Sequence, residues 1–262
     1  MPWRVGLIVP IQAETPFSLF FPGAWHHAPA AVKTAGWDGA ELAIVDPDRL
    51  DAADLAAAFD AEGLPVFSLT TGQAAGLEDL SLASPDEGVR ERSVARIKAH
   101  MRLAREFGAV VIVGSLQGAD GELTRLAESL QACARFDPEV RLALEPLNRY
   151  ESRVVNTVEA GLRVVDAVAC ENLGLLVDTF HANIEERSIS GALRTAGDRL
   201  FHVHVADSNR HVPGHGHLAF EAVWEALAGL GYGGAVVVET LPRPSGEALL
   251  AVGRGLPRSW PT

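Results

Sequence analysis

Four side chains with the chemistry of hard-metal ligands recur along the second half of the sequence, each at the end of a short apolar run: Glu145 in LALEP, Asp178 in LLVDT, His204 in FHVHV and Glu239 in VVVET. They are separated by 33, 26 and 35 residues, each close to the roughly 30 residues of one strand-helix-strand repeat. Groups spaced this way reach a common point if the strands lie side by side. An ionised carboxylate that interrupts an apolar run costs several kcal/mol when it is buried without a partner, and a cation removes that cost. Three carboxylates and one imidazole favour Mn²⁺, Mg²⁺ or Co²⁺ over a thiolate-seeking ion; geometry alone does not separate the three, and Mn²⁺ is the first expectation. Such an ion, chelated by a carbonyl and the neighbouring hydroxyl of a sugar, acidifies the C–H between them by stabilising an enediolate. Two carboxylates flanking that carbon then serve as base and acid. Returning the proton to the opposite face gives epimerisation, and returning it to the adjacent carbon gives aldose–ketose isomerisation.

The elements that would position these groups are legible as an alternation of short β-branched runs with longer helical stretches, the pattern of repeated βα units. Strands are expected at Val5–Val9, Gly39–Val45, Pro65–Leu69, Ala109–Val113, Val140–Leu144, Gly174–Asp178, Leu200–His204 and Ala235–Glu239. Eight such units close a barrel, and in an α/β barrel the reactive groups gather at the C-terminal ends of the strands. Between the strands, Val94, Ile97, Met101, Ala104 and Phe107 form a helical stripe stopped by Gly108. A second runs from Phe220 through Val223, Trp224 and Leu227 to Leu230 before Gly231, and a third joins Val158, Leu162, Val165 and Ala169. The expected architecture is a single (β/α)8 barrel over residues 1–262, with an irregular tail from about residue 255.

Composition agrees and narrows the partners. A chain of 262 residues that is 48% hydrophobic, with 25 Gly and 15 Pro, suits one large core and many short turns. A formal net charge of −12 repels a nucleic-acid backbone and supplies no basic stripe. No apolar stretch has the length of a membrane span, and the first ten residues lack the core of a signal peptide. A cytoplasmic enzyme acting on a small molecule is expected, with Cys133 and Cys170 reduced.

The motifs EPLNRYE (Glu145–Glu151), DTFHANIEE (Asp178–Glu186), FHVHVADSNR (Phe201–Arg210) and ET (Glu239–Thr240), supported by GWDGAELAI (Gly36–Ile44) and TGQA (Thr71–Ala74), give the chain a family likeness. It resembles the D-tagatose 3-epimerase / 5-keto-L-gluconate epimerase branch of the xylose-isomerase-like sugar isomerases and epimerases. The resemblance implies Glu145, Asp178, His204 and Glu239 as metal ligands, with Glu145 and Glu239 doubling as the acid/base pair. It implies Glu151, His181 and Arg210 as substrate-binding residues, and a homodimer or homotetramer. Of the two histidines on one strand, His204 is assigned as the ligand because it sits nearer the strand end and keeps its spacing to Arg210, which leaves His202 as a core residue. The implied reaction is C3 epimerisation of a ketohexose or a keto-aldonate, Arg210 and Arg149 with the loop histidines His211, His215 and His217 being candidates to meet a carboxylate. The competing readings are metal-dependent cleavage of 3-keto-glycosides, a DNA-repair endonuclease of the endonuclease-IV type, and a metal-binding barrel without catalysis. Two segments depart from the likeness: the aromatic stretch Ile11–His27, expected to cover the site, and VGSLQG at Val113–Gly118.

Overall fold

The computed structural model describes residues 2–260, so the last two residues of the expected C-terminal tail lie outside it. Eight parallel strands close on themselves in sequence order, with β1 hydrogen-bonded to both β2 and β8. They are β1 (Arg4–Pro10), β2 (Gly39–Ala43), β3 (Val66–Thr70), β4 (Val110–Val113), β5 (Leu142–Leu144), β6 (Leu173–Asp178), β7 (Leu200–Val205) and β8 (Ala235–Val238). All eight expected strands are present, and no end moves by more than two residues. The tail residues that are described, 256–260, carry no regular structure.

The three expected stripes are helices at Glu87–Phe107, Val158–Val168 and Phe220–Gly229. Gly108 ends the first with φ +61°, as a left-handed stop requires. The side-chain oxygens of Asp86 and Thr157 cap the first two, accepting from the backbone N–H groups of Val89 and Ala160. Their apolar faces pack on the outside of the barrel, where Leu7, Leu42, Leu69, Val111, Leu144, Leu175, Val203 and Val236 form one continuous core with Ile97, Met101, Val165 and Leu227. Each large side chain so buried contributes about 1.5–3 kcal/mol.

Alternation along the strands sends the other parity inward. Two small clusters fill the lumen, one of Ile8, Ala43, Phe67 and Val237, the other of Ile112, Ala143 and Leu176. The same parity turns Asp178, His202, His204 and Glu239 toward the axis. Register fixes their heights: Asp178 pairs with His204 across β6 and β7, while Glu239, just past β8, donates its backbone N–H to Val205 O at 3.3 Å. No helix among the described residues is long and apolar enough to cross a membrane, and Cys133 and Cys170 are both free.

Candidate active site

The four strand-end residues converge at the C-terminal mouth. Glu145, Asp178, His181 and Glu239 each offer a ligand atom within 4.8 Å of the others. His204 Nδ1 lies 3.6 Å from both Glu145 Oε1 and Glu239 Oε2. Glu145 is 5% exposed, Asp178 and His204 1% each, and still Glu145 Oε1, Asp178 Oδ2 and His204 Nδ1 have no hydrogen-bond partner. Native structures rarely leave buried polar atoms in this condition, and here three of them face one another. The donor set and its unmet atoms fit a hard divalent cation.

Hydrogen bonding separates the two histidines. Asn148 donates to His181 Nδ1 from its backbone N–H (3.2 Å) and from its side chain (2.8 Å). Nδ1 is therefore the lone-pair nitrogen of a neutral ring, and the proton sits on Nε2, which points toward Asp178 Oδ2 (3.7 Å) and Glu145 Oε1 (3.9 Å). His204 is wired the other way round, with Nε2 3.0 Å from the carboxylate of Glu41. A carboxylate only accepts, so Nε2 carries the proton, and in the neutral ring Nδ1 turns a lone pair toward Glu145 and Glu239. His181 thus turns a proton toward this centre and His204 a lone pair.

The remaining polar groups form a ring around this centre. Arg210 donates to Glu239 Oε2 (3.1 Å) and to Glu151 Oε1 (2.9 Å), and Glu151 accepts from Asn148 Nδ2 (2.9 Å). The Arg210 guanidinium also lies over two rings, 4.3 Å from the centre of Phe17 and 4.8 Å from that of Phe180. Its backbone has φ +59°, held by hydrogen bonds from Arg210 N to Asp207 O and from Leu241 N to Arg210 O, both 2.8 Å. A side chain with a Cβ in that conformation is strained, and the strain is retained where the guanidinium is needed.

Electrostatics follow burial and crowding. Burial raises Glu145, and the charge of Glu239 adds to it against the opposing pull of His204. Asp178 is pushed up to about 6 by burial and by the charge of Glu239, against Arg210 and His204. Burial works against ionisation of Glu239 too, but His204 and Arg210 outweigh it and bring its carboxyl down to about 2. His204 rises well above the ordinary imidazole value, because Glu41 and Glu239 overcome the cost of burying its charge. Burial, reinforced by Arg210, lowers His181 and keeps its ring neutral. The centre is a concentration of negative charge that draws a positive one.

A cavity of about 220 Å³ opens onto this centre, walled by Ile8, Phe17, Gln73, Ser115, Leu147, Glu151, His181, Arg210 and both catalytic candidates, Glu145 and Glu239. Gly114, at the end of β4, is dictated by the close approach of Glu145, whose Oε2 would lie 2.4 Å from a Cβ there. Of the segment Ile11–His27, Glu14, Thr15, Pro16 and Phe17 line the cavity, Phe17 being its aromatic contribution there. Gln73 ties the backbone of that segment down by donating to Ala13 O (2.7 Å) and Glu14 O (3.0 Å). Arg149, a candidate for meeting a substrate carboxylate, is instead turned outward and paired with Glu185 at 2.9 Å, and His211, His215 and His217 do not line the cavity.

Two residues escaped the reading of the sequence. Asn148, inside EPLNRYE, fixes the His181 tautomer. Glu41 is fully buried in β2, and His204, His202 and Ser68 all reach its Oε2. Burial opposes its ionisation, but the charge of His204 and the hydrogen bonds of both histidines hold its carboxyl well below the usual range. The signal for Glu41 was available, since it interrupts an apolar strand in GAELAI just as the four ligands interrupt theirs.

A family model described as Xylose isomerase-like TIM barrel matches residues 29–255. The chain belongs to that family. Within it, the chain is 35% identical over 193 residues to a D-psicose 3-epimerase of Ruminiclostridium cellulolyticum, an alignment spanning 69% of this chain and 66% of that one. It is 31% identical over 219 residues to an L-ribulose 3-epimerase of Mesorhizobium japonicum, spanning 78% and 71%. Its fold superposes on the crystal structure of a 3-keto-D-glucoside 4-epimerase from E. coli with a TM-score of 0.81, 25% identity and coverage of 97% and 98%. These family members are isomerase-class enzymes acting on sugars.

Proposed function

We propose that this chain is a divalent-metal-dependent ketose 3-epimerase. The observation that carries the reading is the convergence of three unpartnered buried atoms, Glu145 Oε1, Asp178 Oδ2 and His204 Nδ1, beside Glu239 at the floor of a sugar-sized cavity. Glu145, Asp178, His204 and Glu239 hold the ion, and Mn²⁺ suits the three carboxylates and one imidazole, with Mg²⁺ and Co²⁺ as substitutes. When bound, the ion polarises the ketose carbonyl and so acidifies the adjacent C–H. Glu145 and Glu239 stand on β5 and β8, three strands apart around the rim, and so approach the reacting carbon from different sides. One removes the C3 proton and the other delivers a proton to the opposite face; in the reverse reaction they exchange roles. The negative charge that appears on the substrate oxygens as the cis-enediolate forms is met by the Nε2–H of His181 and the guanidinium of Arg210, both already oriented by their hydrogen bonds. Phe17 and Leu147 exclude water from the apolar side.

Charge and size narrow the substrate to a neutral ketose. Arg210 is the sole Arg or Lys among the described residues lining the cavity, and Glu239 and Glu151 already engage it. Glu14, Glu145, Glu151 and Glu239 line the same space and repel a carboxylate or phosphate on the substrate, which argues against a keto-aldonate. A volume of about 220 Å³ is below the roughly 300–1,000 Å³ of sites for larger ligands, and suits a monosaccharide better than a glycoside carrying an aglycone. A cytoplasmic homodimer or homotetramer belongs to the same reading and rests on the family resemblance.

The test is incubation of Mn²⁺-loaded protein in deuterated water with neutral ketoses, keto-aldonates and 3-keto-glycosides, followed by NMR. Label at C3 of a neutral ketose, with its epimer appearing, is the expected result. Exchange confined to C4 of a 3-keto-glycoside, or to a keto-aldonate, would sink the assignment.

A further inference from the structure

We infer that Glu41 is a positioning residue for the metal-binding histidine, its carboxylate fixing the ring and tautomer of His204 so that Nδ1 faces the other ligands as a lone pair. The inference rests on the reading of His204 as a ligand and adds to it a residue that touches neither ion nor substrate. Glu41 is fully buried in a strand whose every residue is buried, and it does not line the cavity. An apolar side chain there would avoid the desolvation of a carboxylate, so the charge is not explained by packing. What it does have is partners drawn from distant parts of the chain. Ser68 Oγ donates to Glu41 Oε2 at 2.6 Å, His204 Nε2 lies 3.0 Å from the same oxygen and His202 Nε2 3.3 Å.

Glu41, His202 and His204 together carry ligand-type atoms, but Oε2 is taken by Ser68 Oγ and His204 Nε2 and His202 Nε2 is shared between that oxygen and Ser68 Oγ, 3.3 Å from each, which leaves Glu41 Oε1 as the one unpartnered atom of Glu41. The arrangement is that of a carboxylate behind a metal-bound imidazole, which selects the tautomer, holds the ring plane and makes the other nitrogen a better donor. His202 contributes by packing edge-on against His204, ring centres 5.2 Å apart and planes at 82°, and Ser68 steadies the carboxylate. The consequence falls on metal affinity, ahead of any effect on turnover.

The experiment is calorimetric titration of metal-stripped wild type, Glu41→Gln and Glu41→Leu with Mn²⁺, with thermal unfolding of the same metal-free samples. Wild type is expected to take up one ion per chain. Glu41→Leu should bind roughly 10- to 100-fold more weakly, and Glu41→Gln about threefold to tenfold more weakly, because its amide oxygen still accepts from His204 Nε2–H without the charge. A merely structural Glu41 would shift metal-free unfolding and leave the affinity of the folded variants at the wild-type value, and that result overturns the inference while the metal site stands. Wild type that binds no ion removes both, and two ions per chain in wild type overturns this inference alone. If Glu41→Leu does not fold, Glu41→Gln decides by affinity. Nitrogen-15 shifts of His204 in Mg²⁺-loaded wild type must in addition show the proton on Nε2; a proton on Nδ1 rejects the role.

Discussion

Arg96 and the Glu145–Asp178–Glu239 cluster are both sheltered concentrations of charge, and they are built in opposite ways. Arg96, on the helix Glu87–Phe107, closes a fork on Glu78 with hydrogen bonds of 2.8 to 3.1 Å and reaches Asp46 with its other nitrogen. Opposite charges are matched, and the two carboxylates raise the pKa of the guanidinium against the cost of burying it. At the mouth of the barrel like charges face one another and three atoms go without partners. Paired charge of the first kind locks a long helix to the turn after β2 and to the helix Gly72–Glu78. Charge of the second kind costs folding energy until a cation arrives, and groups in that condition have displaced pKa values suited to moving protons.

The largest effect that sharpens this contrast is on the acid/base pair. Glu145→Gln and Glu239→Gln should each lower the rate of C3 deuterium exchange by roughly 10²- to 10⁴-fold, the usual contribution of one positioned acid or base. Arg96→Ala should leave exchange per folded, metal-loaded molecule within about twofold. Comparable losses in all three variants would erase the distinction between the clusters.

Stability should respond the other way round. Arg96→Ala strands Glu78 and Asp46 in partly buried positions, side chains 31% and 17% exposed. It should cost about 2 kcal/mol, discounted from fully buried pairs for that exposure, or roughly 4–8 °C in Tm.

Asp178→Asn should stabilise the metal-free protein while weakening metal binding. In the fold Asp178 titrates near 6, against an ordinary value of 3.8. The favourable contribution of its protonated form is therefore complete below about 4 and lost as pH rises through about 6, as Glu239 and the burial of the group oppose ionisation. Asn keeps the hydrogen bond that Asp178 accepts from Phe180 N and has no charge to lose. The Tm advantage of Asp178→Asn should grow from near zero at pH 4 to the equivalent of on the order of 2 kcal/mol at pH 8, and saturating Mn²⁺ should reverse it. A pH-independent difference would show that Asp178 is not strained by its neighbours.

Much of this was legible in the sequence because parallel barrel strands are buried on both faces and appear as short β-branched runs, and because a charge that ends such a run stands out. The strand ends drifted where side-chain capping takes over from the ladder. Val140, read as the start of β5, is held in a turn by its N–H to Asp137 O and by Asn172 Nδ2 on its carbonyl. Glu41 breaks its apolar run visibly, but what that break does depends on partners 27, 161 and 163 residues away, and local pattern does not name them. The family likeness already implied His204 as a ligand and His181 as a substrate residue, but which nitrogen of each ring carries the proton depends on its partners, and this needs coordinates. So does the finding that Arg149 points outward: a basic residue two positions from Glu151 looks the same in sequence whether it faces the cavity or Glu185.

The smallest effect concerns Phe17, from one of the two segments that depart from the family likeness. The Arg210 guanidinium lies over its ring as well as over that of Phe180, and a cation over an aromatic face contributes about 0.5–1 kcal/mol where water retains some access. Phe17→Ala should leave the hydrogen bonds of Arg210 to Glu239 and Glu151 in place and lower kcat/KM for a neutral ketose by about twofold to fivefold. Most of that should appear in KM, since Phe17 walls the cavity and touches neither carboxylate. Phe180→Ala, which removes a half-buried ring from the same guanidinium at the start of the helix Thr179–Glu185, should cost more. If Phe17→Ala instead lowers kcat by orders of magnitude at unchanged KM, the loop takes part in assembling the charged centre, and the division between a prebuilt rim and an added cover is wrong.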